Sequence, residues 1–214
     1  MIQNKIQTVI GHKGYGKTAL TEALTLLNDK PAIIADPRFQ YECEVKRRIE
    51  FKSVGEFRKW IHVTANFRDF YKYKLELVVH AFDDTFQELG ELVYKMKSLT
   101  FVVDEVDMFF DTRATSKNSL YKIIHYGRHS QIDLISTSRR PANISRNLTS
   151  QTDLFYFSKL REPTDKKYIK DAIGLEYVNV VENLDKFSFL KYEDEENKSI
   201  LRTSEKDLLL LERA

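Results

Sequence analysis

Apolar positions along the chain switch repeatedly between two spacings, and the switches mark out the expected elements. Lys5–Ile10 is a short β-rich run, and a helix opens directly after the glycine-rich turn that follows it, over Thr18–Leu24. Lys30–Asp36 reads as a second buried strand, stopped where Asp36 meets Pro37. Ile49–Val54 is a weaker strand candidate that leads into a helix from Ser53 to Phe67, with Val54, Phe57, Ile61 and Ala65 on one face. In Lys74–Ala81, Leu75, Leu77 and Val79 alternate with Glu76, Val78 and His80, the signature of a strand. A helix over Asp83–Lys97 follows, opened by aspartates and closed by lysines as its dipole favours. Next come a buried strand at Leu99–Val103, a polar loop at Asp111–Asn118 and a helix through Leu120, Ile123 and Ile124 for which Gly127 is the expected stop. Ile132–Thr137 and Asp153–Phe157 are further strands, and Pro163–Ile173 is a helix ended by Gly174. Lys186–Tyr192 with Lys198–Thr203 forms a closing hairpin. Strands alternating with helices predict an α/β fold, a mainly parallel sheet with helices on both faces. The chain reads as a single domain, a core over about residues 5–175 and a C-terminal extension over about 176–214.

Composition narrows this without naming a function. A chain of 214 residues with 42% apolar content is long enough for one well-cored domain. The net charge of +2 gives no global basic character, although a local patch remains open. Lys46-Arg47-Arg48 reads as solvated surface. The single cysteine, Cys43, excludes an internal disulfide and any cysteine-based metal cluster, and suits a reducing compartment. No signal-like segment precedes the first strand and no apolar run approaches the roughly 20 residues of a membrane span, so a cytoplasmic protein is expected. Leu208–Leu211 is far too short for a span and should pack on this domain or on a neighbouring subunit.

The chemistry concentrates in two places. Gly11-His12-Lys13-Gly14-Tyr15-Gly16-Lys17-Thr18 matches G-x-x-x-x-G-K-[ST], with a strand before it and a helix after it. Backbone N–H groups that turn inward around phosphate oxygens need conformations a Cβ obstructs, which explains the glycines. All eight residues are candidates to cradle a nucleotide, with Lys17 reaching its β and γ phosphates and the Thr18 hydroxyl ligating Mg²⁺. The bland alternative is a glycine turn carrying a surface lysine. The second place is the end of the Leu99–Val103 strand, where Asp104 and Glu105 stand together. Beside a phosphate loop, Asp104 would hold the Mg²⁺ shell and Glu105 would polarise the attacking water. Without that loop they would simply mark a strand emerging into solvent. Asp107 could begin the following loop.

Taken in order, the phosphate loop, Asp104-Glu105, Gly127–Asp133 and Ser136-Thr137-Ser138-Arg139-Arg140-Pro141 resemble the HerA/FtsK group of DNA-pumping ATPases. Within it, the small size is similar to the genome-packaging ATPases of membrane-containing viruses. The resemblance spans roughly residues 5–175 and implies a P-loop NTPase core of the RecA-like (ASCE) type, ATP and Mg²⁺ as cofactors and duplex DNA as partner. It also implies a ring of identical subunits, hexameric or pentameric, that docks on a capsid or membrane-vertex protein. Arg128 takes the place of an arginine finger acting in trans. Ser138 stands where the group has a glutamine that senses the γ-phosphate; serine is short for that task, which leaves Arg139 or Arg140 as substitutes. A kinase would also carry a phosphate loop, but the Asp-Glu pair suits activation of water better than transfer to an acceptor. A GTPase switch would need an Asn-Lys-x-Asp motif, which the chain lacks. A filamentous-phage assembly ATPase usually adds a membrane span. On the loop past Glu105, Arg113 and Lys117 are the expected DNA contacts, with Lys46, Arg47 and Arg48 next.

Overall fold

The computed structural model describes residues 4–41, 47–193 and 198–202. Their strands join into one nine-stranded sheet: β1 (Ile6–Ile10), β2 (Ala32–Ala35), β3 (Arg48–Phe51), β4 (Glu76–Val79), β5 (Thr100–Val103), β6 (Asp133–Ser138), β7 (Leu154–Phe157), β8 (Ser188–Tyr192) and β9 (Lys198–Arg202). Their spatial order is β3-β4-β2-β5-β6-β1-β7-β8-β9. The first seven run parallel, and β8 and β9 add an antiparallel hairpin on the β7 edge. The expected α/β class, parallel core and closing hairpin are all present. Thr203 and Leu208–Leu211 lie outside the described residues, as do Cys43 and Lys46.

Strands β1, β2, β4, β5 and β6 are buried along their whole lengths, as strands covered on both faces must be. Their alternation sorts side chains into two cores. Val9, Ile34, Val78, Val102 and Ile135 point to the side where Leu20 and Leu24 of α1 (Lys17–Leu26) pack. Ile10, Ile33, Leu77, Phe101, Val103 and Leu134 point to the other side and form the larger core. This core includes residues of α2 (Val54–Ile61), α3 (Thr64–Lys72), α4 (Asp83–Met96), α5 (Ser119–Ser130), α6 (Arg146–Thr149), α7 (Pro163–Ile173) and α8 (Glu176–Glu182).

Three expectations need correction. The helix drawn from Ser53 to Phe67 is two helices. The Val63 N–H closes a tight turn onto the Trp60 carbonyl (3.2 Å), the Asn66 side-chain amide donates to the same carbonyl (3.0 Å), and β-branched Val63 and Thr64 restart the chain in a new direction. Ala65 therefore faces solvent, and Phe70 takes the buried position on α3. Gly127 does not stop its helix. A Cβ there would come within 3.3 Å of the Ile132 carbonyl, so the glycine serves close packing while α5 runs on to a left-handed Gln131 at φ 56°. Arg48 is not solvated surface: its side chain is 2% exposed, with Nη2 2.8 Å from Glu76 and Nη1 3.0 Å from Glu22. Two carboxylates neutralise the buried guanidinium. Arg47 beside it is exposed.

Candidate nucleotide site

The C-terminal edge of the parallel strands is where the two motifs, far apart in sequence, become one place. Strand β1 ends at Ile10, and the next two amides still belong to the sheet: Gly11 N–H donates to the Ser138 carbonyl (3.1 Å) and His12 N–H to the Lys159 carbonyl (3.0 Å). The turn proper begins after them. A Cβ on Gly11 would lie 1.6 Å from Ser158 Oγ, so this position admits nothing larger than glycine. Gly16 sits at φ +89°, and a Cβ there would fall 2.6 Å from the ring of Phe187. His12, Lys13 and Gly14 are exposed along the crown of the loop. Tyr15 packs edge-on to His12 and accepts a hydrogen bond from Arg161 (3.3 Å). Helix α1 starts at Lys17, so the N–H groups of its first turn have no intrahelical acceptor and lie at the positive end of the helix dipole.

Lys17 folds back over the turn and donates to the carbonyls of Gly11 (2.9 Å) and His12 (3.4 Å). Burial lowers its pKa, against the pull of Glu105, with Arg139 lowering it further and Asp104 and Asp107 raising it. All four partners reach it from β5, β6 and the turns that follow them. Thr18 donates its hydroxyl hydrogen to the Gln40 side-chain carbonyl (3.3 Å), which leaves the Thr18 oxygen lone pairs available to a cation. Gln40 is held by Asp36, whose carboxylate accepts from the N–H groups of Arg38 (3.0 Å), Gln40 (2.7 Å) and Tyr41 (3.0 Å).

Strand β6 lies between β1 and β5, and Thr137 on it joins the two carboxylates. Its hydroxyl donates to Asp104 Oδ1 (2.6 Å) and accepts from the Glu105 N–H (3.0 Å). The second carboxylate oxygen of Asp104, Oδ2, is buried with no hydrogen-bond partner. Burial pushes the Asp104 pKa up to about 6 against the opposing Thr137 hydrogen bond, with Glu105 and Asp36 adding repulsion. A buried, orphaned carboxylate oxygen on the same sheet edge as the Thr18 hydroxyl is the donor set Mg²⁺ takes when phosphate oxygens and water complete its shell. The residues therefore fit the ion. No cluster of three or more His, Cys, Asp or Glu suited to a metal occurs among the described residues.

Glu105 sits in the left-handed region at φ 50°, ψ 53°, a conformation that costs a non-glycine residue about 1–2 kcal/mol. Its carboxylate accepts from Arg139 Nε (2.6 Å), and Arg38 Nε lies 3.8 Å away. Ser138 is fully buried. Its hydroxyl donates to Asp107 Oδ1 (2.8 Å) and its oxygen accepts from Arg140 N–H (3.1 Å), so the side chain braces the strand end while its carbonyl holds Gly11. Arg140 pairs with Glu162 at 3.1 Å. Arg128 is elsewhere. It is exposed in the last turn of α5, which leads into the start of β6, and β6 is about 20 Å long at ~3.3 Å per residue. The chain does not bring Arg128 to its own phosphate loop.

Sequence reasoning singled out Lys17, Thr18, Asp104 and Glu105 but missed the residues that hold them. Thr137 gave no signal beyond a hydroxyl in a buried strand. Asp36 followed by Pro37 has the form of a side-chain-capped turn, which could have been read. Gln40 and Arg38 follow only from where that turn points.

No protein-family model matches the chain, and comparison with curated proteins gives no match either. Solved structures do match. The genome packaging NTPase B204 from Sulfolobus turreted icosahedral virus 2, solved with sulfate, superposes with a TM-score of 0.75 at 21% identity, over 95% of this chain and 98% of that one. The DNA-packaging ATPase B204 from Sulfolobus Turreted Icosahedral Virus gives 0.72 at 21% identity, over 95% of this chain and 100% of that one. VirB4 of Thermoanaerobacter pseudethanolicus gives 0.65 at 12% identity, over 96% and 91%. At these identities the likeness is one of fold. The chain has the fold of these P-loop ATPases, as its motifs led one to expect.

Proposed function

We propose that this protein hydrolyses ATP and couples the reaction to movement of duplex DNA, as a ring-forming ATPase of the genome-packaging kind. The observation that carries the hydrolytic part is the orphaned Asp104 Oδ2, buried at the strand edge that also bears Lys17, Thr18 and Glu105. In this reading the first-turn amides of α1 and the Lys17 ammonium bind the β and γ phosphates, while His12 to Gly16 supply the surrounding loop. Thr18 and Asp104 would hold Mg²⁺, which neutralises charge between the β and γ phosphoryl groups. Glu105 takes the proton of the attacking water as its oxygen bonds to the γ phosphorus and the bond to ADP breaks. Ser138 acts indirectly, through Gly11. The nucleotide complexes recorded for B204, with AMP, AMPPCP and ATP-gammaS, support ATP as the ligand.

DNA as the cargo rests on the fold shared with a DNA-packaging ATPase, and on Arg113 and Lys117 in the exposed loop beyond Glu105. The ring rests on Arg128, which can meet a nucleotide only in a neighbouring subunit. Among the described residues no helix is long and apolar enough to cross a membrane.

The test is ATP hydrolysis with and without duplex DNA. Lys17→Ala should abolish binding or turnover. Glu105→Gln should keep ATP bound and slow hydrolysis by about 10²–10⁴, the usual worth of a general base. Wild-type turnover in Glu105→Gln would remove Glu105 from the mechanism, and a rate indifferent to DNA would remove the translocase.

A further inference from the structure

The turn after β2 touches the nucleotide site through Gln40, whose side-chain carbonyl takes the Thr18 hydroxyl hydrogen (3.3 Å). Gln40 is exposed and lies on irregular chain, so its position depends on what grips the turn. Asp36 does part of this by gathering three backbone N–H groups on its carboxylate. The rest falls to His80, which follows β4 directly, four places along the sheet from β1. The His80 side chain is 1% exposed. Its Nδ1 lies 2.9 Å from the Asp36 carbonyl oxygen, and since a carbonyl only accepts, Nδ1 is the donor. Its Nε2 shares a proton with Glu50 Oε1 of β3 at 2.6 Å. The Phe39 ring stacks on the imidazole, centroids 3.9 Å apart and planes at 25°. Phe39 takes φ 55° there, a left-handed conformation rare for a bulky residue, although it stays 62% exposed. The backbone N–H of His80 meets the Phe51 carbonyl (3.0 Å), so the main chain serves the sheet and the ring is left for the turn.

We infer that His80 is a positioning residue for the cation at the nucleotide site, acting through Asp36 and Gln40 on the Thr18 hydroxyl. This rests on the ATPase reading. Asp36 is the hinge of the relay, because its carbonyl is committed to His80 while its carboxylate is committed to the turn. Holding that carbonyl fixes the plane of the peptide between Asp36 and Pro37, and the proline ring fixes the next φ, so the heading of the turn is set before Gln40 is reached. With Gln40 in place, the Thr18 hydrogen points to it and the oxygen lone pairs stay open to a cation. If the carbonyl is released, Gln40 is no longer held and the hydroxyl is free to turn its hydrogen toward the cation instead. Losing an outer-shell partner of this kind typically weakens metal binding by about 10–100-fold. The phosphate contacts assigned to Lys17 and to the α1 amides do not run through this relay, so nucleotide binding without metal is independent of His80.

The measurement is ATP-gammaS binding as Mg²⁺ is raised from none, in chelator, which reads the metal without turnover. In His80→Asn the amide nitrogen falls where Nδ1 was and keeps the Asp36 carbonyl; in His80→Gln it falls where Nε2 was, reaches Glu50 and leaves that carbonyl unheld. His80→Gln should raise the Mg²⁺ concentration at half effect by about tenfold and leave the affinity in chelator unchanged. His80→Asn should recover most of that loss. Gln40→Ala, at an exposed position, should give a rise of the same size, and the double variant with His80→Gln should add nothing, because both break one relay. Phe39→Ala uncovers the imidazole from the surface and should shift the Mg²⁺ response in the same direction, which keeps the test open if His80→Gln does not fold. The proposal is overturned by a wild-type Mg²⁺ response in His80→Gln or, should that variant not fold, in Phe39→Ala. It is overturned equally by a loss of the same size in chelator, by His80→Asn faring no better than His80→Gln, or by effects that add in the double variant. Failure of the ATPase reading looks different, since wild type itself would then bind no ATP-gammaS with or without Mg²⁺.

Discussion

Replacing Asp104 by asparagine should stabilise the metal-free protein while disabling it. The folded chain holds the Asp104 pKa at about 6 against an ordinary 3.8 because burial disfavours the charged form. Folded protein therefore binds this proton more tightly than unfolded protein does, and the stability contributed is full below pH 3.8 and lost as pH rises through about 6. At 1.36 kcal/mol per pKa unit, the ionised carboxylate costs about 3 kcal/mol at neutral pH. Asparagine removes the charge and still accepts from the Thr137 hydroxyl, whose bond to the ionised carboxylate already opposes the rise in pKa and is counted in it. A gain of about 3 kcal/mol corresponds to a rise in Tm of about 6–12 °C for a domain of this size. The assay is thermal unfolding in a chelator from pH 4 to pH 8. The two proteins should unfold together near pH 4 and separate above pH 6, with the variant higher. With Mg²⁺ and ATP-gammaS present, wild type should gain stability that the variant does not. A wild type as stable as the variant at pH 8 in chelator, or a gap that stays constant with pH, would refute the assignment of a strained, metal-seeking carboxylate.

Gly11→Ala should fail to fold or lose several kcal/mol, since its methyl would fall 1.6 Å from Ser158 Oγ, and Ser158→Gly in the same chain should restore part of the loss in a denaturant melt. Replacing Arg113 and Lys117 by alanine should flatten the salt dependence of DNA-stimulated hydrolysis by up to ~2 in logarithmic slope and spare the basal rate; an unchanged slope would move the contact to other residues. Mixing Arg128→Ala with Glu105→Gln, each inactive alone, should regenerate activity at interfaces that pair an intact base with an intact arginine. A mixture as inactive as its parts, with subunit exchange demonstrated, would transfer the finger to another arginine.

What was legible in the sequence was whatever depends on short-range pattern. Strand cores announced themselves because a strand buried on both faces must be apolar almost throughout, and the phosphate loop because its glycines are demanded by backbone shape. Gly127 misled because a glycine at a helix end has two physical uses, a left-handed stop and a close approach, and only the neighbouring Ile132 carbonyl reveals which applies. Arg48 misled for a related reason: its neutralising partners, Glu22 and Glu76, lie 26 and 28 positions away. Within the site, the groups assigned to phosphate were readable because that chemistry restricts residue type. Those that hold them were not, because Thr137 and Arg139 owe their partners to the order in which strands lie side by side.

That order has a mechanical consequence. Strand β6 is flanked on both sides by parallel partners, five residues matched with β1 and four with β5, and its last residues grip the phosphate loop and both carboxylates. A tensile load applied along it meets these evenly spaced bonds in shear, all at once, and none can be peeled away singly. A translocase of the kind proposed would have to keep its reacting groups in register while under tension. Here those groups are braced by a strand that is paired along both of its edges.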